Sequence, residues 1–120
     1  MLSRSHNRAY QDFLTLLTNF QNFLLDLANS EDVALIKSEF GQLEMWFQQN
    51  IANLDTSELE AEIIPRWQSI QTEIRREFKL LTTDILFLVS ARQNTTKMQR
   101  IEAIQQRLSK LSSYCRVMNA

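Results

Sequence analysis

Few side chains in this 120-residue chain could do chemistry, and they lie far apart in the sequence. His6 is the only histidine and Cys115 the only cysteine, whereas zinc sites and di-iron bundles need several such residues at fixed spacing. A Ser-His-Asp or Cys-His relay would have to recruit His6. His6 also lies in a stretch that we expect to fray. The single glycine excludes a glycine-rich phosphate loop. The sequence therefore predicts a binding protein, with no enzymatic activity, cofactor or metal.

Cys115 falls on the apolar face of the last predicted helix, which indicates a packed, inert thiol rather than a nucleophile. A lone cysteine cannot form an internal disulfide, and it fits a reducing compartment. The longest purely apolar run, Ile85 to Val89, is far shorter than the ~20 residues that span a bilayer. The N-terminal residues lack the apolar core of a signal peptide. We expect a cytoplasmic protein with no membrane contact.

The elements that would position these side chains are helices. One glycine and one proline are too few for sheets and loop-rich folds, so the composition predicts an all-α chain. The organising stretch is a long central helix from about residue 65 to 93, which begins at Pro65 and would span roughly 43 Å. Its apolar residues recur every three or four positions on one face: Trp67, Ile70, Ile74, Phe78, Leu81, Ile85 and Leu88.

Three more amphipathic helices are predicted beside the long one. They cover about residues 5–28, 31–53 and 97–117, with apolar residues again at steps of three and four. Gly41 falls inside the second of these helices, where glycine costs about 0.5–1 kcal/mol relative to alanine. Either a neighbouring helix comes close there or the cost is simply tolerated, and we favour the second. Four helices with short connections predict an antiparallel four-helix bundle, a single domain over residues 1–120.

Side chains that could cap helices set the expected boundaries. Ser30 is placed to cap the second helix. Asp55 with Glu58 resembles a capping box and predicts a short helix over 56–63. Thr96 with Gln99 fits the same pattern. It predicts that the last helix starts at residue 97, after a turn over residues 93–95.

Charge is divided unevenly along the chain, although the net charge is only −1. Residues 1–62 hold three Lys or Arg against ten Asp or Glu, and residues 63–120 hold ten against four. The simplest interpretation is that oppositely charged helices attract one another within the bundle. The functional alternative is a basic face for an acidic partner, or head-to-tail self-association. The candidate contact residues for a partner are Arg75, Arg76, Lys79, Arg92, Lys97 and Arg100.

Two helices carry more apolar residues than one core needs. Leu16 and Phe23 lie seven residues apart on the first helix, to the side of its main apolar face. Leu80 and Phe87 repeat this arrangement on the long helix. These residues either pack on neighbouring helices or form a surface for self-association or for another partner. Asp84 lies between Leu80 and Phe87, where its carboxylate must either reach water or pair with a base such as an arginine of another helix. We favour a structural ion pair or hydrogen bonding between Thr and Asp side chains.

Four short segments in the second half of the chain carry a family resemblance. They are W-Q-x-x-Q-T-E-I from Trp67 to Ile74, L-L-x-x-D-x-L-F-L from Leu80 to Leu88, A-R-Q from Ala91 to Gln93, and Y-C at Tyr114 and Cys115. Over about residues 60–118 the chain resembles the PatD family, the heterocyst-frequency control proteins of filamentous cyanobacteria. The length and end-to-end organisation of the chain agree too, and the first half is similar only in pattern. The resemblance carries over no binding-residue motif, so the contact residues named above rest on charge.

The resemblance implies a small cytoplasmic regulator of heterocyst differentiation that is not an enzyme. It also implies a partner, the tubulin-like division GTPase FtsZ, whose polymerisation the protein would alter. Two alternatives from other classes stay open: a self-associating helical scaffold, a possible homo-oligomer, and a nucleic-acid-binding regulator that uses the basic half. The second is the weaker one, because no short glycine-containing turn joins two helices as in a helix-turn-helix.

Overall fold

Four antiparallel helices form a bundle 50 Å long and about 20 Å wide in the computed structural model, which describes residues 2–27 and 33–119. The helices are α1 (Arg4–Asp26), α2 (Val33–Asn50), α3 (Ile64–Ser90) and α4 (Asn94–Met118). Each packs on two neighbours in the cyclic order α1–α2–α3–α4, so α1 and α3 lie on one diagonal and α2 and α4 on the other. The predicted all-α bundle is confirmed.

The core is built around the long helix α3, as the apolar pattern predicts. Phe78, in the middle of α3, stacks on Phe47 of α2 with ring centroids 3.9 Å apart and planes nearly parallel. Phe40 of α2 lies 5.7 Å from the same ring, and Phe13 of α1 lies 6.1 Å from it. Because rings from three helices meet at Phe78, the aromatic core fixes how α1 and α2 sit against α3.

Helix starts follow the sequence only in part. Ser3 caps α1 by accepting a hydrogen bond from the backbone N–H of His6 at 3.1 Å, so the helix begins at Arg4. Pro65 stands in the first turn of α3, where its missing N–H has no cost. The predicted cap Ser30 lies outside the described residues.

The predicted short helix over 56–63 is wrong. The Asp55 carboxylate accepts hydrogen bonds from the backbone N–H of Ser57 at 3.0 Å and from its hydroxyl at 2.6 Å. In this Asx turn the Asp55 carboxylate bonds to the residue two positions later, whereas a capping box would need a bond to the backbone N–H three positions later. A capping box with Glu58 therefore does not form. The chain between α2 and α3 is a series of turns.

The predicted start of the last helix is also wrong. α3 ends at Ser90, because Ala91 has an extended backbone with φ −69° and ψ 136°. α4 then begins at Asn94, with Gln93 as its N-cap residue and no side-chain cap there. Thr96 lies inside the first turn and cannot act as the cap that the sequence pattern predicts.

Gly41 lies on the exposed side of α2, and a Cβ placed on it would meet nothing within 4 Å. No neighbouring helix comes close there. The interpretation that its cost is simply tolerated is therefore confirmed.

Candidate partner-binding surface

A network of ion pairs joins α3 to α4 along one side of the bundle. The Glu77 side chain is only 2% exposed, and its carboxylate lies 2.7 Å from Arg107 Nη1 and 2.9 Å from Lys110 Nζ. Arg107 also donates through Nε to Asp84 Oδ2 at 2.6 Å. One guanidinium on α4 therefore bridges two carboxylates that lie two turns apart on α3.

Half of this network was expected from the sequence. Of the alternatives open for Asp84, the structure shows the pairing with an arginine of another helix, Arg107. Glu77 was missed, although a signal for it exists. Glu77 precedes Asp84 by seven residues, so the two carboxylates share one side of α3.

The electrostatics of the network favour the charged forms of Glu77, Arg107 and Lys110. Burial alone would raise the pKa of Glu77, but hydrogen bonds from Lys110 and Arg107, with their positive charges, outweigh it and hold that pKa below its usual value. Desolvation opposes the charge on Arg107, yet the bonds to Asp84 and Glu77 leave its pKa raised. The hydrogen bond to Glu77 likewise raises the pKa of Lys110.

Three of the six basic residues predicted to contact a partner lie in the middle of α3, and two of them already have partners. Arg75 Nη2 donates to the carbonyl oxygen of Ala52 at 2.6 Å. Arg76 Nη2 lies 3.7 Å from Glu77, at the edge of the ion-pair network. Lys79 is exposed. Arg75 thus ties α3 to the segment after α2, and Arg76 is engaged with acidic residues of its own helix.

The other three basic residues lie together where α3 turns into α4, at one end of the bundle; we call them the basic end. Arg92 is exposed and Lys97 partly exposed. Arg100 lies over the Phe87 ring, with Cζ 4.7 Å from the ring centroid. The six predicted residues therefore form two groups, because Arg75 and Arg92 are roughly 25 Å apart along the helix axis.

The four residues predicted for self-association also separate into two sets. Leu16 and Phe23 are partly buried against the core and line a groove between α1 and α2, together with Trp46. Leu80 and Phe87 stay 38% and 49% exposed, on the side of α3 that faces α4. Packing on neighbours thus accounts for the first pair better than for the second, and self-association stays a prediction.

A second polar cluster lies around His6, at the opposite end of the bundle. The expectation that this stretch frays is wrong. His6 is 3% exposed, with Nδ1 2.7 Å from Ser3 Oγ and Nε2 2.9 Å from the carbonyl oxygen of Asp55. It does not fray, because Ser3 caps α1 and the segment after α2 holds the ring. Both ring nitrogens have partners, so the cluster is structural.

A chain of buried hydrogen bonds lies beside His6. Trp67 Nε1 donates to the Tyr10 hydroxyl at 2.9 Å, and that hydroxyl donates to Gln71 Oε1 at 2.6 Å. Gln71 Nε2 donates to the carbonyl oxygen of Ile51 at 2.8 Å. Burial raises the pKa of Tyr10 far above its usual value, so the hydroxyl keeps its proton. Gln71 was not predicted as part of a site, although its position four residues after Trp67 places it on the buried face.

Cys115 is fully buried, and burial raises the pKa of its thiol to about 12. The prediction of a packed thiol is therefore confirmed, since the reactive thiolate is not available near neutral pH. Within the described ranges, no group of three or more His, Cys, Asp or Glu side chains is placed to hold a metal ion. No helix among the described residues is long and apolar enough to cross a bilayer.

The fold and these surfaces define an α-helical bundle with an ion-paired α3–α4 side and a basic end. Comparisons with protein-family models, with curated proteins and with solved structures found no match.

Proposed function

We propose that this protein is a cytoplasmic, non-enzymatic regulator of heterocyst differentiation frequency that binds FtsZ through its basic end and modulates FtsZ polymerisation. The observation that carries the proposal is the grouping of Arg92, Lys97 and Arg100 at one end of a 50 Å bundle. The choice of FtsZ as the partner comes from the resemblance to the PatD family. An acidic segment or surface of the FtsZ polymer is the part that a basic end would contact.

The chemistry of the basic end supports this role. No salt bridge joins Arg92 or Lys97 to an acidic side chain in the part of the chain that the structure describes. Arg100 and Phe87 add a cation stacked on an aromatic ring that is still half exposed. Arginine and aromatic side chains are the residue types that most often anchor protein interfaces, and surrounding charges mainly accelerate encounter.

The middle of α3 contributes less to the proposed contact. Arg75 and Arg76 would have to give up the Ala52 carbonyl and Glu77 before they could bind a partner. Lys79 is the exposed residue of that group. We therefore rank Arg92, Lys97 and Arg100 above Arg75, Arg76 and Lys79 as contact residues.

The test is co-sedimentation of this protein with FtsZ polymers formed with GTP, at low and at physiological salt. Arg92→Glu with Lys97→Glu should weaken binding by about tenfold or more and remove most of its salt dependence. The matched control is Arg8→Glu with Arg66→Glu, which makes the same change in charge on exposed residues at the opposite end of the bundle. This control should still co-sediment.

Three outcomes would contradict the proposal. The wild-type protein could stay in the supernatant at both salts, which removes FtsZ as the partner. The two double variants could lose binding equally, which assigns the effect to net charge instead of to the basic end. A gel shift with DNA or RNA at low salt that Arg92→Glu with Lys97→Glu abolishes would favour the nucleic-acid alternative, because phosphate attraction is strongest there.

A further inference from the structure

Two apolar surfaces lie on opposite sides of the bundle. The first, which we call the groove, runs between α1 and α2 and has a volume of about 350 Å³. It is lined by Leu16, Asn19, Phe20, Phe23, Glu39, Gln42, Leu43 and Trp46. The second, which we call the ridge, consists of Leu80 and Phe87 on α3. Because α1 pairs with α2 and α3 with α4 in a square arrangement, the groove and the ridge of one molecule face away from each other.

The groove and the ridge have the same spacing. Leu16 and Phe23 lie seven residues apart on α1, and Leu80 and Phe87 lie seven residues apart on α3, which is roughly 10.5 Å in each helix. A helix that lies in a groove contacts it through residues at such intervals. The ridge of one copy can therefore meet the groove of another at two places at once, with α3 parallel to α1.

The same register also places an acidic residue of α1 opposite a basic residue of α3. Asp12 precedes Leu16 by four residues, and Arg76 precedes Leu80 by four, so the two ions would lie opposite each other. Arg76 would then exchange its contacts with Glu73 and Glu77 for Asp12.

The far ends of the two surfaces also match in charge. Glu39 lies near the Phe23 end of the groove, because its neighbour Phe40 packs on Phe20 with ring centroids 5.8 Å apart. Arg100 lies over Phe87 at the corresponding end of the ridge. Asp12 and Glu39 border the groove, and Arg76 and Arg100 border the ridge. The carboxylates beside the ridge, Glu73 and Asp84, are paired with Arg76 and Arg107, so the two surfaces are complementary in charge.

We propose that the groove binds the ridge of a second copy of this chain. The contact is heterologous, since it joins two different surfaces, and each bound copy still presents one free groove or ridge. Copies therefore add side by side into open rows, with their long axes parallel and a repeat of about the 20 Å width of the bundle. The proposal does not rest on FtsZ binding.

The first measurement is sedimentation velocity over a range of protein concentrations. The wild-type mass should rise continuously beyond a dimer. Leu80→Gln with Phe87→Gln on the ridge should shift assembly to at least tenfold higher concentration, and so should Glu39→Lys with Gln42→Lys on the rim of the groove. Circular dichroism of each variant checks that the helices are intact.

The second measurement mixes the two defective variants. The ridge variant keeps an intact groove and the groove variant keeps an intact ridge, so the mixture has one functional contact. It should give a 1:1 complex of twice the 14.1 kDa chain mass and no larger species. An isologous dimer would not be restored in this way.

The matched control is Leu25→Gln with Met45→Gln, which replaces two residues that are 59% and 64% exposed but belong to neither surface. This variant should assemble like the wild type, and so should Arg92→Glu with Lys97→Glu, which separates this contact from FtsZ binding. A wild-type chain that stays monomeric at every concentration would overturn the proposal. The proposal would also be overturned if the groove variant assembled like the wild type, or if the control lost assembly equally. A mixture of the two defective variants that gave no 1:1 complex would overturn it as well.

Discussion

Glu77 shows how one residue can hold two helices in place. Its buried carboxylate contacts Arg107 and Lys110 of α4 and lies near Arg76 of its own helix. Arg107 reaches Asp84 as well. Removing one member of such a pair costs more than the pair contributes, because the remaining charges are left without their partner in a poorly solvated place.

Glu77→Gln should lower the free energy of unfolding by about 1–3 kcal/mol at pH 7, because the hydrogen bonds that it loses involve charged groups. The folded-state pKa of Glu77 lies below its unfolded value, so its contribution is present above the unfolded pKa and is lost as the pH falls through the folded pKa. Urea unfolding of wild type and variant should therefore converge as the pH drops below about 4.

The control for this prediction is Glu73→Gln on the same helix. Glu73 has a side chain that is 40% exposed, and it pairs with Arg76 at 3.3 Å. Exposed pairs contribute about 0–1 kcal/mol, so this variant should differ little from the wild type at any pH. A stability difference for Glu77→Gln that is independent of pH would contradict the assignment.

At this scale the sequence predicts the type of an interaction better than its partner. From its place between two apolar residues, Asp84 was expected either to reach water or to pair with a base, with an ion pair or hydrogen bonding favoured. The partner Arg107 lies 23 positions away on another helix, and only the packing of α3 on α4 brings them together. His6 was misjudged for the same reason, because the Asp55 carbonyl that holds its ring comes from a distant turn.

At the scale of helices, α2 packs on its neighbours least extensively, and its own helix propensity should matter accordingly. Gly41→Ala should raise the free energy of unfolding by about 0.5–1 kcal/mol, because alanine loses less backbone entropy and the new Cβ meets nothing. Urea unfolding measures the change. Gln48→Ala, at another exposed position of α2, should change stability less, since glutamine is already a good helix former. Destabilisation by Gly41→Ala would show that a close contact exists at this site.

Helix faces could be predicted from the sequence, and helix ends could not. A face repeats over many residues, so single exceptions do not hide it. An end depends on one or two hydrogen bonds: Asp55 bonds to Ser57 instead of starting a helix, and α4 begins before Thr96. Such local alternatives have similar free energies, and the connection between the helices decides among them.

At the scale of the molecule, buried residues from all four helices form one core, which predicts one cooperative unfolding transition. The two tryptophans report on different helices, since Trp46 lies on α2 and Trp67 on α3. In Trp46→Phe and in Trp67→Phe, the remaining tryptophan fluorescence and the helical circular dichroism of the same variant should give the same urea midpoint. Separate midpoints in either variant would mean that α2 unfolds independently.

Arg92 and Lys97 lie at the end of the bundle, whereas Arg100 of the basic end reaches Phe87 on its side. In a row of copies whose long axes point the same way, these ends form a single edge with one positive cluster about every 20 Å. A polymer with a regular array of acidic sites would then be held by many weak contacts whose effective concentration is high. Avidity of this kind would let a row of bundles, each with modest affinity for one subunit, distinguish an assembled filament from free subunits.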